Sequence, residues 1–196
     1  PGLDGANIFG LRNLQDAKHI MQALPKVRRA VVIGGGFVGL EAAYALYGKG
    51  VEVTVVERLP QILPNLFDKR AAQILEGDMQ REGIRIITGN GVKEIINSTL
   101  WQKLFGEEGK GILLENGETL KCELIILAVG IKLNKELAKG TAIKVERGIV
   151  VDDYMQTGEK DIYAAGDVVE TIDAATGERK LSPIWPNAVA QGRIAG

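Results

Sequence analysis

The stretch 29-RAVVIGGGFVGLEAAYALYGKGVEVTVVE-57 decides the fold. Its first five residues form an apolar, β-branched run, which is typical of a strand buried on both faces of a parallel sheet. After three glycines, apolar residues return at three- and four-residue steps as far as Gly48 and Gly50, which predicts a helix that ends there. The run 51–57 predicts a second strand. Strand, glycine turn, helix and strand within about 30 residues form a βαβ unit.

Further elements are predicted on both sides of this unit. We expect helices at 14–24, 68–81 and from 187 onward, and strands at 84–88, 92–98, 112–116 and 119–129. Asp68 is the expected cap of the second helix, with Ala71, Ile74, Leu75 and Met79 on its inner face. An Asn-Gly hairpin signal lies at 116–117, so the last three strands predict an antiparallel meander inserted before the end of the sheet. The predicted fold class is α/β.

Composition excludes several classes of protein. The 196 residues are 45% hydrophobic, and 24 Lys and Arg nearly balance 25 Asp and Glu, for a net charge of -1. With no basic block interleaved with aromatic residues, we expect no nucleic-acid partner. The longest apolar run, 124–131, is far shorter than the roughly 18 residues of a membrane span, so no membrane partner is expected. The single cysteine, Cys122, excludes an internal disulfide and a cysteine-based metal cluster, and it favours a cytoplasmic location.

The glycines after the first strand have the G-x-G-x-x-G spacing of a dinucleotide-binding turn. Gly34 permits the tight turn, Gly36 lets a pyrophosphate approach the backbone, and Gly39 lets the helix pack closely on the sheet. The N–H groups at the start of the helix and its positive dipole end attract phosphate. A purely structural strand-to-helix turn is the alternative. The candidate cofactor contacts are Gly34, Gly35, Gly36, Phe37, Val38 and Gly39.

An acidic residue at the end of the second strand favours the dinucleotide interpretation. Glu57 follows Gly39 by 18 positions, where its carboxylate can accept hydrogen bonds from a ribose 2′-hydroxyl. The same charge repels a 2′-phosphate, so NAD(H) is favoured as the cofactor. Arg58, directly beside it, leaves NADP(H) open as the alternative.

At this point the chain resembles the flavin-dependent pyridine nucleotide-disulfide oxidoreductases. The motif 161-DIYAAGD-167 is similar to that family's second flavin motif, and 10-GLRNLQDA-17, the glycine loop and 125-IILAVGIKLN-134 match in order and spacing. The resemblance covers nearly the whole chain. The pattern is most similar to the NADH oxidase, coenzyme A disulfide reductase, rubredoxin reductase and nitrite reductase branches.

The resemblance implies a domain organisation in which two Rossmann-like domains are interleaved. Residues 1–27 are then the end of a first FAD-domain segment, 28–145 an NAD(H)-binding domain, and 146–196 a second, truncated FAD-domain segment. The chain is thus expected to be the central piece of a longer protein, whose first glycine loop, redox cysteine and C-terminal dimer-forming domain lie outside it. Cys122 is expected to be a partly buried strand residue and not the redox thiol.

Site residues also follow from the resemblance. Gly166 and Asp167 are expected at the ribitol chain of FAD, and the backbone from Pro186 through Asn187 to Ala188 beside the flavin pyrimidine ring. Gly130 is expected beside the nicotinamide.

Glu41 is the candidate catalytic residue implied by the resemblance, near the nicotinamide and flavin. Its alternative is an acid that merely stabilises a helix N-terminus. No metal site is expected.

The implied function of the intact protein is FAD-dependent NAD(P)H oxidoreductase chemistry. Hydride would pass from NADH to FAD and on to a disulfide, to oxygen or to a redox protein, in a homodimer joined through the C-terminal domain. The isolated fragment is expected to be inactive and to hold no stable FAD. The alternative is an NAD-binding or redox-sensing module without turnover.

Overall fold

The structure is a computed structural model and describes residues 7–64, 66–106 and 109–196. The chain forms two compact units, one up to Gly130 and one from Ile131 to Gly196. None of the helices in the described ranges is long and apolar enough to cross a membrane.

The first unit contains a five-stranded parallel sheet. Its strands are β1 (Ile8–Gly10), β2 (Arg29–Ile33), β3 (Glu52–Val56), β4 (Arg85–Ile87) and β8 (Leu124–Leu127), in the order β1-β8-β2-β3-β4. Three helices accompany it: α1 (Leu14–Ala23), α2 (Phe37–Tyr47) and α3 (Lys69–Glu82). The central strands β2 and β8 are buried on both faces, as the continuous apolar runs predicted. This arrangement confirms the Rossmann-like α/β class.

Helix α3 begins at the predicted cap, because the Asp68 carboxylate accepts the N–H of Ala71 at 2.8 Å. Its buried face differs from the prediction. Met79 is buried as expected, but Ala72 takes the place expected for Ile74, which is 58% exposed. Ala72 and Met79 belong to the core cluster, and Leu75 packs against it. Because Ile74 is two positions from Ala72, it lies on a different side of the helix.

A three-stranded antiparallel sheet covers one face of this parallel sheet. It is formed by β5 (Val92–Ile96), β6 (Gly111–Leu114) and β7 (Thr119–Lys121), in the order β5-β6-β7. The two sheets share a hydrophobic cluster that includes Val31, Ile112 and Ile125. The predicted meander is therefore confirmed.

Two boundaries in this region were predicted wrongly. Helix α4 (Ser98–Phe105) follows β5, where the sequence suggested only that the strand continued to residue 98. The predicted strand 119–129 is two strands, β7 and β8, which belong to different sheets. The chain changes sheets at Cys122 and Glu123, so Cys122 lies between strands and not within one, and it is 1% exposed.

The second unit is built on a small mixed sheet. Its strands are β9 (Ile149–Val150), β10 (Val169–Ile172) and β11 (Arg179–Leu181), in the order β11-β10-β9, followed by helix α5 (Trp185–Ala195). Glu170 on β10 is 1% exposed and accepts hydrogen bonds from the Gly148 amide and the Arg147 guanidinium at 3.1 Å each. Because its charge is paired and hydrogen-bonded, this buried carboxylate can be accommodated in the sheet.

Candidate functional site

A cleft of about 560 Å³ lies at the carboxyl ends of β2, β3 and β8. This edge is where open parallel sheets bind ligands. The cleft is lined by Ile33, Gly34, Gly36, Val56, Glu57, Arg58, Leu59, Pro64, Gly91, Val92, Glu115, Ala128, Val129 and Gly130. Several of the sequence-predicted residues are therefore brought together: two glycines of the loop, Glu57, Arg58 and Gly130.

Two glycines of the loop are required by the backbone itself. Gly34 has φ +112°, and a Cβ there would overlap the carbonyl of Ala128, which directly follows β8. A Cβ on Gly39 would overlap the carbonyl oxygen of Gly34. The first glycine thus makes the tight turn out of β2, and the third lets α2 pack against that turn, as the spacing predicted.

The middle glycine is different, because it faces open space. Apart from Gly36 itself and its chain neighbours, no heavy atom of the described residues lies within 4 Å of the position that a Cβ on Gly36 would take. Its backbone, at φ -82° and ψ -179°, is one that any residue can adopt. The structure therefore shows no packing reason for glycine at this position, whereas a ligand that approaches the backbone would supply one.

Gly36 is also the N-cap of α2, and no described side chain caps this helix. The first N–H groups of an α-helix have no partner inside the helix and carry the positive end of its dipole. Phe37 and Val38 occupy the first turn and are about half exposed, at 51% and 48%. The helix start is therefore available to an anion in the cleft.

Glu57 fixes the loop to the end of β3. One carboxylate oxygen accepts the N–H of Gly35 at 2.7 Å, and the other accepts the N–H of Leu59 at 2.8 Å. Gly35 is half-buried, and a Cβ there would lie 3.0 Å from the Glu57 Cβ. A carboxylate has about four acceptor positions, so Glu57 keeps capacity for hydroxyl donors in the cleft.

Arg58 and Gly130 also line the cleft. The Arg58 residue is exposed. Gly130 has φ +101°, and no described heavy atom beyond its chain neighbours lies within 4 Å of the position that a Cβ there would take, so it leaves its side of the cleft open.

Glu41 is not among the residues that line this cleft. It is exposed and lines a separate groove of about 440 Å³ between α2 and α3, together with apolar residues such as Phe37 and Met79. The structure thus does not bring Glu41 together with the glycine loop's open face.

The predicted flavin residues lie together in the second unit. The N–H of Gly166 donates to Oε1 of Gln191 on α5 at 2.8 Å, and a Cβ on Gly166 would lie 3.8 Å from the Cβ of Ala188. Asn187, in the first turn of α5 after Pro186, donates to the Ser182 hydroxyl at 2.6 Å. Asp167 follows Gly166 and is exposed. The loop ending at Asp167 and the start of α5 therefore form one surface.

Cys122 is unsuited to redox chemistry in the folded chain. Burial raises the pKa of its thiol to about 12, and the nearby Lys110 only partly offsets this effect. Because the thiolate is the reactive form, the folded protein keeps this cysteine inert near neutral pH. This agrees with the prediction that Cys122 is not the redox thiol.

A larger cavity, of about 660 Å³, lies at the opposite ends of the strands. It is lined by residues that include Lys26, Arg29 and Glu123. Arg29 begins β2, whereas Gly34 follows the end of the same strand. This cavity is thus remote from the glycine loop and from the sheet edge where parallel sheets bind ligands.

Sequence reasoning missed the contribution of the meander to the cleft. Gly91 and Val92 at the start of β5, and Glu115 after β6, all line it. The Asn-Gly signal located the hairpin, but the sequence carried no signal for which edge of the parallel sheet that hairpin would approach.

The chain matches known proteins over nearly its whole length. Residues 1–192 match the family model described as pyridine nucleotide-disulphide oxidoreductase. A curated NADH oxidase of Methanocaldococcus jannaschii is 35% identical over 198 residues, which cover 100% of this chain and 42% of the oxidase. The chain therefore spans less than half the length of this relative.

Solved structures show the same fold. A NAD-dependent persulfide reductase from A. fulgidus superimposes with a TM-score of 0.89 at 32% identity, covering 99% of this chain and 35% of the reductase. The water-forming NADH oxidase from Lactobacillus brevis, bound to NADH, superimposes with a TM-score of 0.88 at 28% identity, covering 99% of this chain and 41% of the oxidase.

Proposed function

Because the chain belongs to the pyridine nucleotide-disulphide oxidoreductase family, we propose that its cleft binds NADH and that the chain is the nicotinamide-binding part of a flavoprotein oxidoreductase. In this proposal residues 1–27 end a first FAD-domain segment, 28–145 form the NAD(H) domain and 146–196 begin the second FAD-domain segment. The observation that carries the proposal is the open face of Gly36 at the uncapped start of α2.

The pyrophosphate of NADH fits the glycine loop. Gly36 leaves room for a phosphate against the backbone, and the first turn of α2 through Phe37 and Val38 offers N–H donors. Backbone N–H groups and the helix dipole together make such a terminus an anion site. Gly34 and Gly39 hold the loop in this shape.

The adenosine ribose fits Glu57. The carboxylate is already held by the amides of Gly35 and Leu59, so its position is fixed before a ligand binds. Such a preorganised acceptor loses little conformational entropy on binding. The same negative charge opposes a 2′-phosphate, which favours NADH over NADPH.

The opposite end of the cleft suits the nicotinamide. Gly130 leaves space there after β8. Glu41 lines the separate groove between α2 and α3, so its proposed role near the nicotinamide and flavin rests on the family resemblance alone. When bound, NADH and FAD would supply the redox chemistry, which is hydride transfer between them. The chain's own residues bind, orient and separate the rings from water.

The second unit supplies one side of the FAD site in this proposal. Asp167 would accept from the ribitol hydroxyls, and the first turn of α5 from Pro186 to Ala188 would offer N–H groups to the flavin ring. The hydrogen bond from the Gly166 N–H to Gln191 of α5 keeps these two elements adjacent.

The electron acceptor of the intact protein is proposed to be a small molecule or a redox protein. The family relatives support this range, since one is named a water-forming NADH oxidase and another, from Pseudomonas putida, a rubredoxin-NAD(+) reductase. In the same proposal the intact protein is a homodimer joined by a domain beyond residue 196.

Calorimetric titration of the chain with NADH and with NADPH tests the binding proposal. We expect tighter binding of NADH in the wild-type chain and a smaller difference between the two cofactors in Glu57→Gln. Glu52→Gln, at the start of the same strand and outside the cleft, is the matched control and should leave the difference unchanged. Equal affinities for both cofactors, or no heat with either, would contradict the proposal.

A further inference from the structure

The hairpin between β6 and β7 places a second carboxylate in the cleft. Glu115 directly follows β6 and lines the same cleft as Glu57. Its Oε2 accepts the N–H of Gly91 at 3.2 Å, and its own N–H donates to the Gly91 carbonyl at 2.9 Å. Although Glu115 is exposed, these two bonds hold its carboxylate against Gly91.

Glycine is the residue that allows this approach. A Cβ on Gly91 would lie 2.8 Å from the Cδ of Glu115 and would displace the carboxylate. The position of the Glu115 carboxylate therefore depends on glycine at position 91.

Hydrogen bonds connect this pair to Glu57. The N–H of Asn90 donates to the Glu57 carbonyl at 3.2 Å, and the Asn90 Oδ1 accepts the N–H of Asn116 at 3.3 Å. Asn90 is 8% exposed, so the bonds are shielded from water. Glu57, the 90–91 loop and the hairpin are thus connected, and both glutamates line the same cleft.

The second carboxylate changes the charge of the cleft. Among the described residues that line it, Glu57 and Arg58 are adjacent and of opposite sign, so together they are neutral. Adding Glu115 makes the formal charge of the lining -1. A neutral pair discriminates weakly against a 2′-phosphate, whereas a net negative lining opposes the extra charge of about -2 that this phosphate carries.

We propose that Glu115 is a second specificity-determining residue, which excludes NADPH from the cleft by repelling its 2′-phosphate. This inference rests on the proposed binding of NADH at the glycine loop. It assigns the cofactor preference to Glu57 and Glu115 together, and it explains how the chain can carry Arg58 in the cleft without accepting NADPH.

Calorimetric titration of the 196-residue chain with NADH and with NADPH tests the inference. Glu115→Gln removes the charge and keeps an oxygen that can accept the Gly91 N–H. We expect the ratio of the NADPH and NADH dissociation constants to fall about threefold, and about tenfold in Glu115→Lys. The thermal midpoint of Glu115→Gln should stay at the wild-type value, which shows that the variant keeps its fold.

Glu94→Gln and Glu94→Lys are the matched controls. Glu94 lies on β5 of the same sheet and is not among the residues lining the cleft, so these variants make the same changes in net charge. We expect the wild-type ratio in both. If Glu115→Gln and Glu115→Lys keep the wild-type ratio while NADH still binds, the role of Glu115 is wrong and the proposed function stands. If the wild-type chain does not bind NADH, the proposed function fails and the inference fails with it.

Discussion

At the scale of single residues, the three motif glycines have separate physical roles. Gly34 and Gly39 are required because backbone atoms occupy the space of a side chain, whereas Gly36 borders open space. The sequence spacing predicted these roles, since each depends on local geometry that the strand–turn–helix imposes. It could not predict the hydrogen bond from Gly35 to Glu57, because that contact depends on the register of β2 and β3.

Alanine substitutions separate the packing role from the binding role. In Gly39→Ala the new Cβ meets the Gly34 carbonyl, so we expect a loss of at least about 2 kcal/mol in the free energy of unfolding, despite the higher helix propensity of alanine. Urea denaturation followed by circular dichroism measures this loss. A Gly39→Ala protein as stable as the wild type would contradict the packing assignment.

Gly36→Ala is the control for that experiment and a prediction of its own. Its stability should stay within about 0.5 kcal/mol of the wild type, because the site is open and its backbone angles suit alanine. Its affinity for NADH should fall by about tenfold, because the methyl group enters the space proposed for the pyrophosphate. Calorimetry with unchanged NADH affinity would contradict that placement.

The thiol of Cys122 gives a prediction that does not depend on any cofactor. Because burial raises its pKa to about 12, the folded chain should resist alkylation by iodoacetamide at about pH 8, and the chain unfolded in urea should react fully. Mass spectrometry counts the modified thiol. Rapid modification of the folded chain would show that Cys122 is accessible.

At the scale of elements, the sequence predicted the strands and helices whose apolar residues recur with a clear period. It did not predict where the chain passes from one sheet to another. The β2–α2–β3 unit followed from apolar spacing over nearly 30 residues. Helix α4 was missed because it has only eight residues, too few for a clear apolar period. It is held by local contacts instead: the Asn97 side chain accepts the Leu100 N–H at 2.9 Å, and the rings of Trp101 and Phe105 pack with centroids 4.4 Å apart. The sheet change at Glu123 depends on contacts with Arg29, nearly a hundred residues away.

Glu123 joins the starts of β2 and β8, and its contribution to stability should depend on pH. Burial alone would raise the pKa of this carboxyl, but hydrogen bonds from the Arg29 side chain at 2.6 Å and from the Arg29 amide at 2.7 Å hold its pKa below the usual value. The stabilisation is therefore present above the unfolded-state pKa of about 4.3 and is lost as pH falls through the lower folded-state value.

Glu123→Gln should thus reduce the free energy of unfolding by about 1 to 2 kcal/mol at about pH 7, and by progressively less below about pH 4. Urea denaturation across this pH range measures the difference from the wild type. Glu136→Gln, which removes an exposed ion pair with Lys139, is the control and should change stability little. A difference for Glu123→Gln that stays constant with pH would contradict this role of the carboxylate.

At the scale of the whole molecule, the two units carry different parts of the proposed enzyme. The first unit presents a cleft bounded on several sides. The second presents an exposed surface around Asp167 and α5, a helix with no buried residue in the structure. The sequence resemblance predicted both parts. The structure divides the chain into two units at 130/131, whereas the domain boundaries at 27/28 and 145/146 stay a prediction.

This difference predicts how the chain handles the two cofactors. Since one exposed surface offers FAD few buried contacts, the purified chain should be colourless and should not retain added FAD through gel filtration, while it still binds NADH. Absorbance in the visible range measures retained flavin. A yellow chain with stoichiometric FAD would show that the second unit suffices to hold it.

Binding of NADH at the glycine loop is the central claim, and amide chemical shifts of the ¹⁵N-labelled chain test it most directly. On titration with NADH we predict that the largest shifts occur at Gly36, Phe37 and Val38 and at the residues around Glu57. Shifts centred instead on the cavity near Lys26 and Arg29, or no shifts at saturating NADH, would contradict the claim.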